Sequence, residues 1–172
     1  LKKIGIKRIK ISSGDITNLP LLRSIAKINI PTILSTGMSS IKEIRDALNI
    51  LINNGLSKKN ITILHCTTSY PTNFVDVNLN AMITIKKKFK VDIGYSDHTQ
   101  GIEVPIAATA LGAKIIEKHY VDKHDRKGPD VSCSMDAKQL KELIKASKLI
   151  PSTIPGKKEP IKEELVTMNF AF

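Results

Sequence analysis

Two histidines, His98 and His119, stand 21 residues apart, each at the end of a short β-type run, Val91–Ser96 and Lys114–His119. If those runs are neighbouring parallel strands about 4.8 Å apart, both imidazoles reach one divalent ion, with oxygen ligands or water completing its shell. The alternative is two hydrogen-bonding histidines in a polar pocket. Acid–base candidates lie close by: Asp15, Asp97, Glu117 and Asp130. Glu117 and His119 alternate on one strand and share a face. Lys118 between them points to the other face, toward the helices, unless its long stem snorkels. Asp97, between Ser96 and His98, points away from the histidine face and reads as a supporting residue. Asp130 ends the stiff turn Lys127-Gly128-Pro129-Asp130, which either presents a carboxylate over the site or is an ordinary turn. Lys10, Ser13, Ser35, Thr68 and Ser96 end consecutive runs. Hydroxyls, backbone N–H groups and one lysine make a phosphate cradle, although singly each reads as a cap or turn residue. His65 points to the side of its strand opposite Cys66 and reads as structural; His124 reads as an exposed loop residue. Cys66 and Cys133 read as buried small thiols. Their spacing does not match a structural zinc site, and two cysteines are too few for a disulfide framework, which favours a reducing compartment.

These residues are positioned by a regular alternation. β-type runs at Arg8–Ser12, Thr32–Ser35, Ile61–Cys66, Val91–Ser96 and Lys114–His119 start 23 to 30 residues apart. Between and after them the pattern predicts helices over Leu19–Lys27, Ser40–Asn53, Asn78–Phe89, Val104–Leu111 and Ala137–Leu149. Ser39 or Ser40 is placed to N-cap the second helix, with Glu43 near the capping-box position. Gly55 and Gly112 are placed to end helices. Pro31 precedes its strand, where no ladder donor is needed. The strand centres are apolar, as in parallel strands buried on both faces. Such alternation builds either a doubly wound sheet or a (β/α)₈ barrel. All five runs end in polar clusters, and a barrel assembles its site from those C-terminal ends; a doubly wound sheet concentrates its site at one switch point. There is no Gly-x-Gly-x-x-Gly fingerprint and no Walker A loop. The barrel is therefore expected, with five of its eight strands in this chain. Leu1–Gly5 reads as a helix end capped by glycine, and Val166–Phe172 as the start of an apolar strand, as in a fragment of a longer polypeptide.

Composition limits the function classes. The 172 residues carry 27 Lys+Arg against 16 Asp+Glu, a formal charge of +11. Hydrophobic residues make up 41%, too many for a disordered chain, and no stretch has the roughly 18–20 apolar residues of a membrane-spanning helix. Arginine occurs only at positions 8, 23, 45 and 126, aromatics are 4%, and the densest basic run is Lys86-Lys87-Lys88. Spread lysines with abundant Ile and Asn fit AT-rich coding. They do not form the Arg- and aromatic-rich surface of a nucleic-acid binder; a small anionic substrate fits better.

Taken together the clusters resemble one family. Leu64-His65-Cys66-Thr67-Thr68-Ser69-Tyr70-Pro71, Gly94-Tyr95-Ser96-Asp97-His98-Thr99, Glu117-Lys118-His119-Tyr120 and Gly128-Pro129-Asp130 occur in the order seen in the sialic acid (N-acetylneuraminate) synthases and their legionaminate and pseudaminate relatives. Lys10-Ile11-Ser12-Ser13-Gly14-Asp15 and Ile33-Leu34-Ser35-Thr36-Gly37-Met38 also fit. The resemblance implies an α/β fold, a (β/α)₈ TIM barrel of which this chain holds about strands four to eight. Residues 1–150 would be the C-terminal part of the barrel, and 151–172 a linker toward an antifreeze-like domain. It implies condensation of phosphoenolpyruvate with an N-acylated hexosamine of the N-acetylmannosamine type, with release of phosphate, in a cytoplasmic homodimer that binds neither nucleic acid nor membrane. By motif, His98 and His119 would bind a divalent metal, manganese first, with magnesium and cobalt as alternatives. Lys10, Ser13, Ser35, Thr68 and Ser96 would surround phosphoenolpyruvate, although the family commonly has Asn at the place of Thr68. Tyr70 and Asp130 would contact the sugar, and Glu117 would lie close to the metal and the reacting carbons; of the carboxylates, Glu117 or Asp130 is our expected proton-transfer group. The stretch from Asp130 to Met135 leans slightly toward the N-acetylneuraminate branch. A legionaminate or pseudaminate synthase and a catalytically inactive fragment are the alternatives, and the isolated half-barrel is expected to be inactive.

Overall fold

The computed structural model describes residues 5–168 and Phe170. Five strands form one wholly parallel sheet in chain order: β1 (Ile9–Ile11), β2 (Thr32–Ser35), β3 (Ile61–Cys66), β4 (Asp92–Asp97) and β5 (Ile116–Lys118). Helices follow them in turn: α1 (Leu19–Ile28), α2 (Ile41–Asn53), α3 (Asn80–Phe89), α4 (Glu103–Ala110) and α5 (Ala137–Thr153), with a short α6 (Lys162–Met168) beyond. A strand order that never reverses has no switch point and is not doubly wound.

The sheet is curled. Lys10 on β1 donates to Glu117 on β5 at 2.8 Å, although these are the two edge strands. In a flat sheet they would lie four intervals apart, roughly 19 Å, farther than an extended lysine and glutamate span together. The five strands therefore form a half-barrel with Lys10 and Glu117 on its concave side.

Alternation then assigns the faces. Ile9, Ile11, Leu34, Ile61, Ile63, Ile93 and Tyr95 point to the helices, where they are buried with Leu22, Leu48, Leu51, Met82, Ile85 and Phe89. Lys10, Ser35, Cys66, Ser96 and Glu117 take the concave side. A smaller cluster of Ile102, Met135 and Leu143 seats α5. Local signals agree. Ser40 forms a reciprocal capping box with Glu43, and Asp136 forms one with Gln139 at the start of α5. Gly112 turns the chain at φ 91° after α4.

The pairing of β4 and β5 extends backward through Lys114 N–H to the Ile93 carbonyl at 2.7 Å and Tyr95 N–H to the Ile115 carbonyl at 2.9 Å. Gly94 makes this approach fit, because a Cβ there would overlap the Ile115 carbonyl oxygen and a Leu64 methyl. Neither neighbour can retreat without breaking the ladder or the core. Gly94→Ala is expected to destabilise by about 1–3 kcal/mol, read as a lower denaturant midpoint at unchanged slope.

Several boundaries differ from expectation. Val166–Met168 is helical, inside α6, not the start of a strand. Among the described residues no strand lies beside it to pair with, and Glu163 and Glu164 in the first turn complement the helix dipole. The rest of that stretch, apart from Phe170, and Leu1–Ile4 of the expected helix end lie outside the described residues. Helix α5 continues through Pro151 to Thr153, past the expected boundary at 150. Among the described residues no helix is long and apolar enough to cross a membrane.

A polar mouth at the C-terminal strand ends

The C-terminal ends of all five strands converge, bringing together the residues that the sequence scatters from position 10 to 130. The centre is His98 and His119, whose ring centroids are 5.5 Å apart. His98 Nδ1 lies 2.7 Å from the Thr67 carbonyl. A carbonyl only accepts, so Nδ1 carries the proton and Nε2 keeps its lone pair free for a ligand. Burial lowers the pKa of His98, opposed by that hydrogen bond and aided by His119, so the ring favours its neutral, ligating form. Tyr70 stacks on His98 at 4.0 Å between centroids and meets His119 edge-on at 5.7 Å. Burial raises its phenol pKa above the ordinary value.

Glu117 accepts from Lys10 and from the Ser96 hydroxyl, both at 2.8 Å. Burial would raise its carboxyl, but these two donors and the lysine charge outweigh it and hold the group below the ordinary carboxylate range. Glu117 is thus an ionised acceptor. Of the two readings of the turn, the structure places Asp130 beside the histidines, with Oδ2 3.8 Å from His119 Nδ1. Its loop is pinned where Met135 N–H donates to the His119 carbonyl and Val121 N–H to the Met135 carbonyl, both at 2.9 Å. The Ser134 hydroxyl donates to the Asp130 carbonyl at 2.8 Å.

On the other flank, the Ser13 hydroxyl accepts from Gly37 N–H at 2.9 Å. A Cβ on Gly37 would collide with the Thr68 hydroxyl and crowd Ser13 and Cys66, so Ser13, Thr68 and Cys66 meet around this glycine. The Ser35 hydroxyl is buried with no hydrogen-bond partner among the described residues, an orphan that a bound anion would satisfy. Asp15 accepts from the Ser12 hydroxyl at 2.6 Å in an exposed local turn.

The supporting residues fall as the alternation places them. Asp97 points behind the mouth, and Lys118 meets it there in a fully buried ion pair; the lysine does not snorkel. His65 Nε2 bonds the Val77 carbonyl at 2.8 Å, and burial lowers its pKa, a structural role. His124 is half-exposed, 3.5 Å from Asp136. Cys66 Sγ lies 4.0 Å from His98 Nδ1, a neighbour that sequence reading does not supply. With that nitrogen committed to Thr67 and burial raising the thiol pKa, the pair is not an activated nucleophile. Sequence reading also misses the Thr67 carbonyl, because backbone acceptors carry no residue signature, and Gly37, whose only signal is a glycine following a polar strand end.

The donor set fits a divalent ion in part. Two imidazoles with centroids 5.5 Å apart are the nitrogen donors that a borderline metal would take. Among the described residues no three or more His, Cys, Asp or Glu are grouped so as to hold a metal ion, so an ion at the two histidines would need water or substrate oxygens to complete its shell. A metal here would keep positions open to substrate and water, as a working site requires rather than a structural one.

A curled parallel sheet with a hydroxyl-rich, histidine-bearing mouth at its C-terminal strand ends is the architecture of a (β/α) barrel. The chain belongs to the NeuB family, whose profile matches residues 1–159. It is 48% identical over 170 residues to the N,N'-diacetyllegionaminic acid synthase of Campylobacter jejuni, covering 98% of this chain and 51% of that protein. It is 36% identical to the pseudaminic acid synthase of Helicobacter pylori, covering 93% of this chain and 46% of that protein. The crystal structure of an N-acetylneuraminic acid synthetase from Leptospira borgpetersenii, in complex with citrate, superposes with a TM-score of 0.88 at 40% identity, covering 99% of this chain and 59% of that one. The chain spans about half the length of the curated relatives it matches.

Proposed function

We propose that the protein carrying this chain condenses phosphoenolpyruvate with an N-acylated hexosamine to a nine-carbon sugar acid, releasing phosphate. The observation that carries the reading is the convergence of Lys10, Ser13, Ser35 and Ser96 on one flank of the His98–His119 pair, with Tyr70 and Asp130 on the other. Phosphoenolpyruvate takes the first flank, where Lys10 offsets its charge, the hydroxyls of Ser13, Ser35 and Thr68 donate to its oxygens, and Ser96 lines the same side. The open-chain sugar takes the second, with Tyr70 and Asp130 orienting it. A divalent ion at His98 and His119, manganese first, would supply Lewis-acid polarisation of the sugar aldehyde. C3 of phosphoenolpyruvate bonds to the aldehyde carbon as the carbonyl π pair moves to its oxygen, which takes up a proton; water adds at C2, and the tetrahedral centre expels phosphate as its hydroxyl proton leaves with it and the C2 carbonyl forms. Glu117 accepts the proton of that water, a role suited to a carboxylate held ionised. Fixing two reactants in one mouth provides most of the rate.

In this reading the five strands are strands four to eight of an eight-stranded barrel, residues 151–172 lead to a further domain, and the enzyme is a cytoplasmic homodimer. Although Asp130–Met135 leans toward the N-acetylneuraminate branch, 48% identity to a diacetyllegionaminic acid synthase favours a diacetamido sugar as substrate. Phosphate release by the full-length protein, with manganese and either N-acetylmannosamine or a 2,4-diacetamido hexose, tests both points. Release that depends on the sugar is expected, faster with the diacetamido sugar. Release equal with and without sugar would overturn the synthase reading, and preference for N-acetylmannosamine would overturn the branch.

A further inference from the structure

Directly behind the two histidines lies a buried ionic network that the proposed chemistry does not use. Lys118 Nζ donates to Asp97 Oδ2 at 2.5 Å and to the Thr99 carbonyl at 2.7 Å. Asp97 Oδ1 accepts from the Thr99 N–H at 3.2 Å and from its hydroxyl at 2.9 Å. Both charged side chains have 0% exposure, and Thr99 is buried with them. The sheet register pairs Asp97 with Lys118, and each is followed immediately by a histidine.

This is a costly choice for the helix-facing side of a sheet, which Ile93, Tyr95 and Ile116 otherwise fill. A buried ion pair is commonly no more stabilising than apolar residues of the same volume, so stability does not explain it. Direction does. The backbone ladder sets the offset of β4 against β5 as far as Asp97 and Lys118, and the lysine bridging a carboxylate and a carbonyl, with the carboxylate gripping Thr99, ties the strand ends together directionally where the ladder stops. The next residue on each strand is a histidine on the concave side. Any error in those strand ends therefore appears as misplacement of the imidazoles.

We propose that the Asp97–Lys118–Thr99 network is a positioning device that sets the separation and ring orientation of His98 and His119 for one shared divalent ion. The inference rests on the metal reading given under the proposed function. The test uses the double variant Asp97→Asn/Lys118→Met in the full-length protein, which removes both charges together, so that neither is left buried alone. With Mn²⁺ alone as probe, followed by electron paramagnetic resonance, affinity is expected to fall about 10- to 100-fold, the range for loss of residues that orient metal ligands. In the metal-free protein the ring-nitrogen resonances of His98 and His119 are expected to move while those of His65 and His124 stay. Unchanged affinity with unchanged His98 and His119 resonances overturns the proposal. A wild-type protein that binds no Mn²⁺ removes the metal reading, and the positioning role is then decided by the ring resonances: movement supports it and constancy overturns it. If the double variant does not fold, Thr99→Val removes the hydroxyl alone, and the same two measurements apply with a smaller, several-fold loss expected.

Discussion

Glu117→Gln is expected to lower the turnover of the proposed condensation by about 10²- to 10⁴-fold, the usual contribution of a positioned proton-transfer group. The substitution is close to isosteric. The Ser96 hydroxyl, 2.8 Å from the carboxyl, can still donate to an amide oxygen, so the side chain keeps its place on the concave face. What is lost is the capacity to accept a proton, together with the charge opposite Lys10. That pair is only partly buried, at 33% and 42% side-chain exposure, and solvent screens it, so its loss costs little stability. The expected signature is therefore a fall in kcat with a melting temperature close to wild type. A loss confined to KM for phosphoenolpyruvate would show instead that Glu117 serves only to hold Lys10. Undiminished turnover would remove it from the proton path altogether.

Why Glu117 was legible in the sequence, and other parts of the site were not, follows from how local each feature is. Alternation in Glu117-Lys118-His119 depends on one strand alone and places glutamate and histidine on one face. Thr32–Ser35 and Ile61–Cys66 agree residue for residue with the structure because their apolar runs are bounded by Pro31 and by the turn before Ile61. The Ser40 capping box is equally local. The buried partner of Lys118 is different. Alternation sends the lysine to the helix side, but only the register between β4 and β5 sets Asp97 opposite it, and register is a property of two strands. The Thr67 carbonyl that fixes the tautomer of His98 lies 31 residues away in the chain and belongs to the backbone, so no side-chain pattern announces it. At the other end, Val166–Met168 is apolar enough to read as a strand, yet a strand needs a neighbour. A helix satisfies its own backbone, and the acidic first turn favours it.

Lys118→Met is expected to destabilise the protein by about 3–5 kcal/mol, because it leaves the Asp97 carboxylate buried without its counter-charge. In a domain of 150–250 residues a loss of that size lowers the melting temperature by roughly 6–20 °C. Asp97→Ala is expected to cost a similar amount, since it strands the lysine ammonium and removes the acceptor of both Thr99 donors. The double variant Asp97→Asn/Lys118→Met should cost much less than the sum of the two halves. It strands no charge, and the asparagine oxygen still accepts from Thr99. The sign of the non-additivity separates two explanations. If each side chain merely filled space, the two truncations would share one enlarged cavity and the double variant would be the worst of the three. If the charges compensate one another in a site closed to water, the double variant recovers most of what either single variant loses. That recovery of stability without recovery of histidine geometry would separate the network's contribution to folding from its contribution to the mouth.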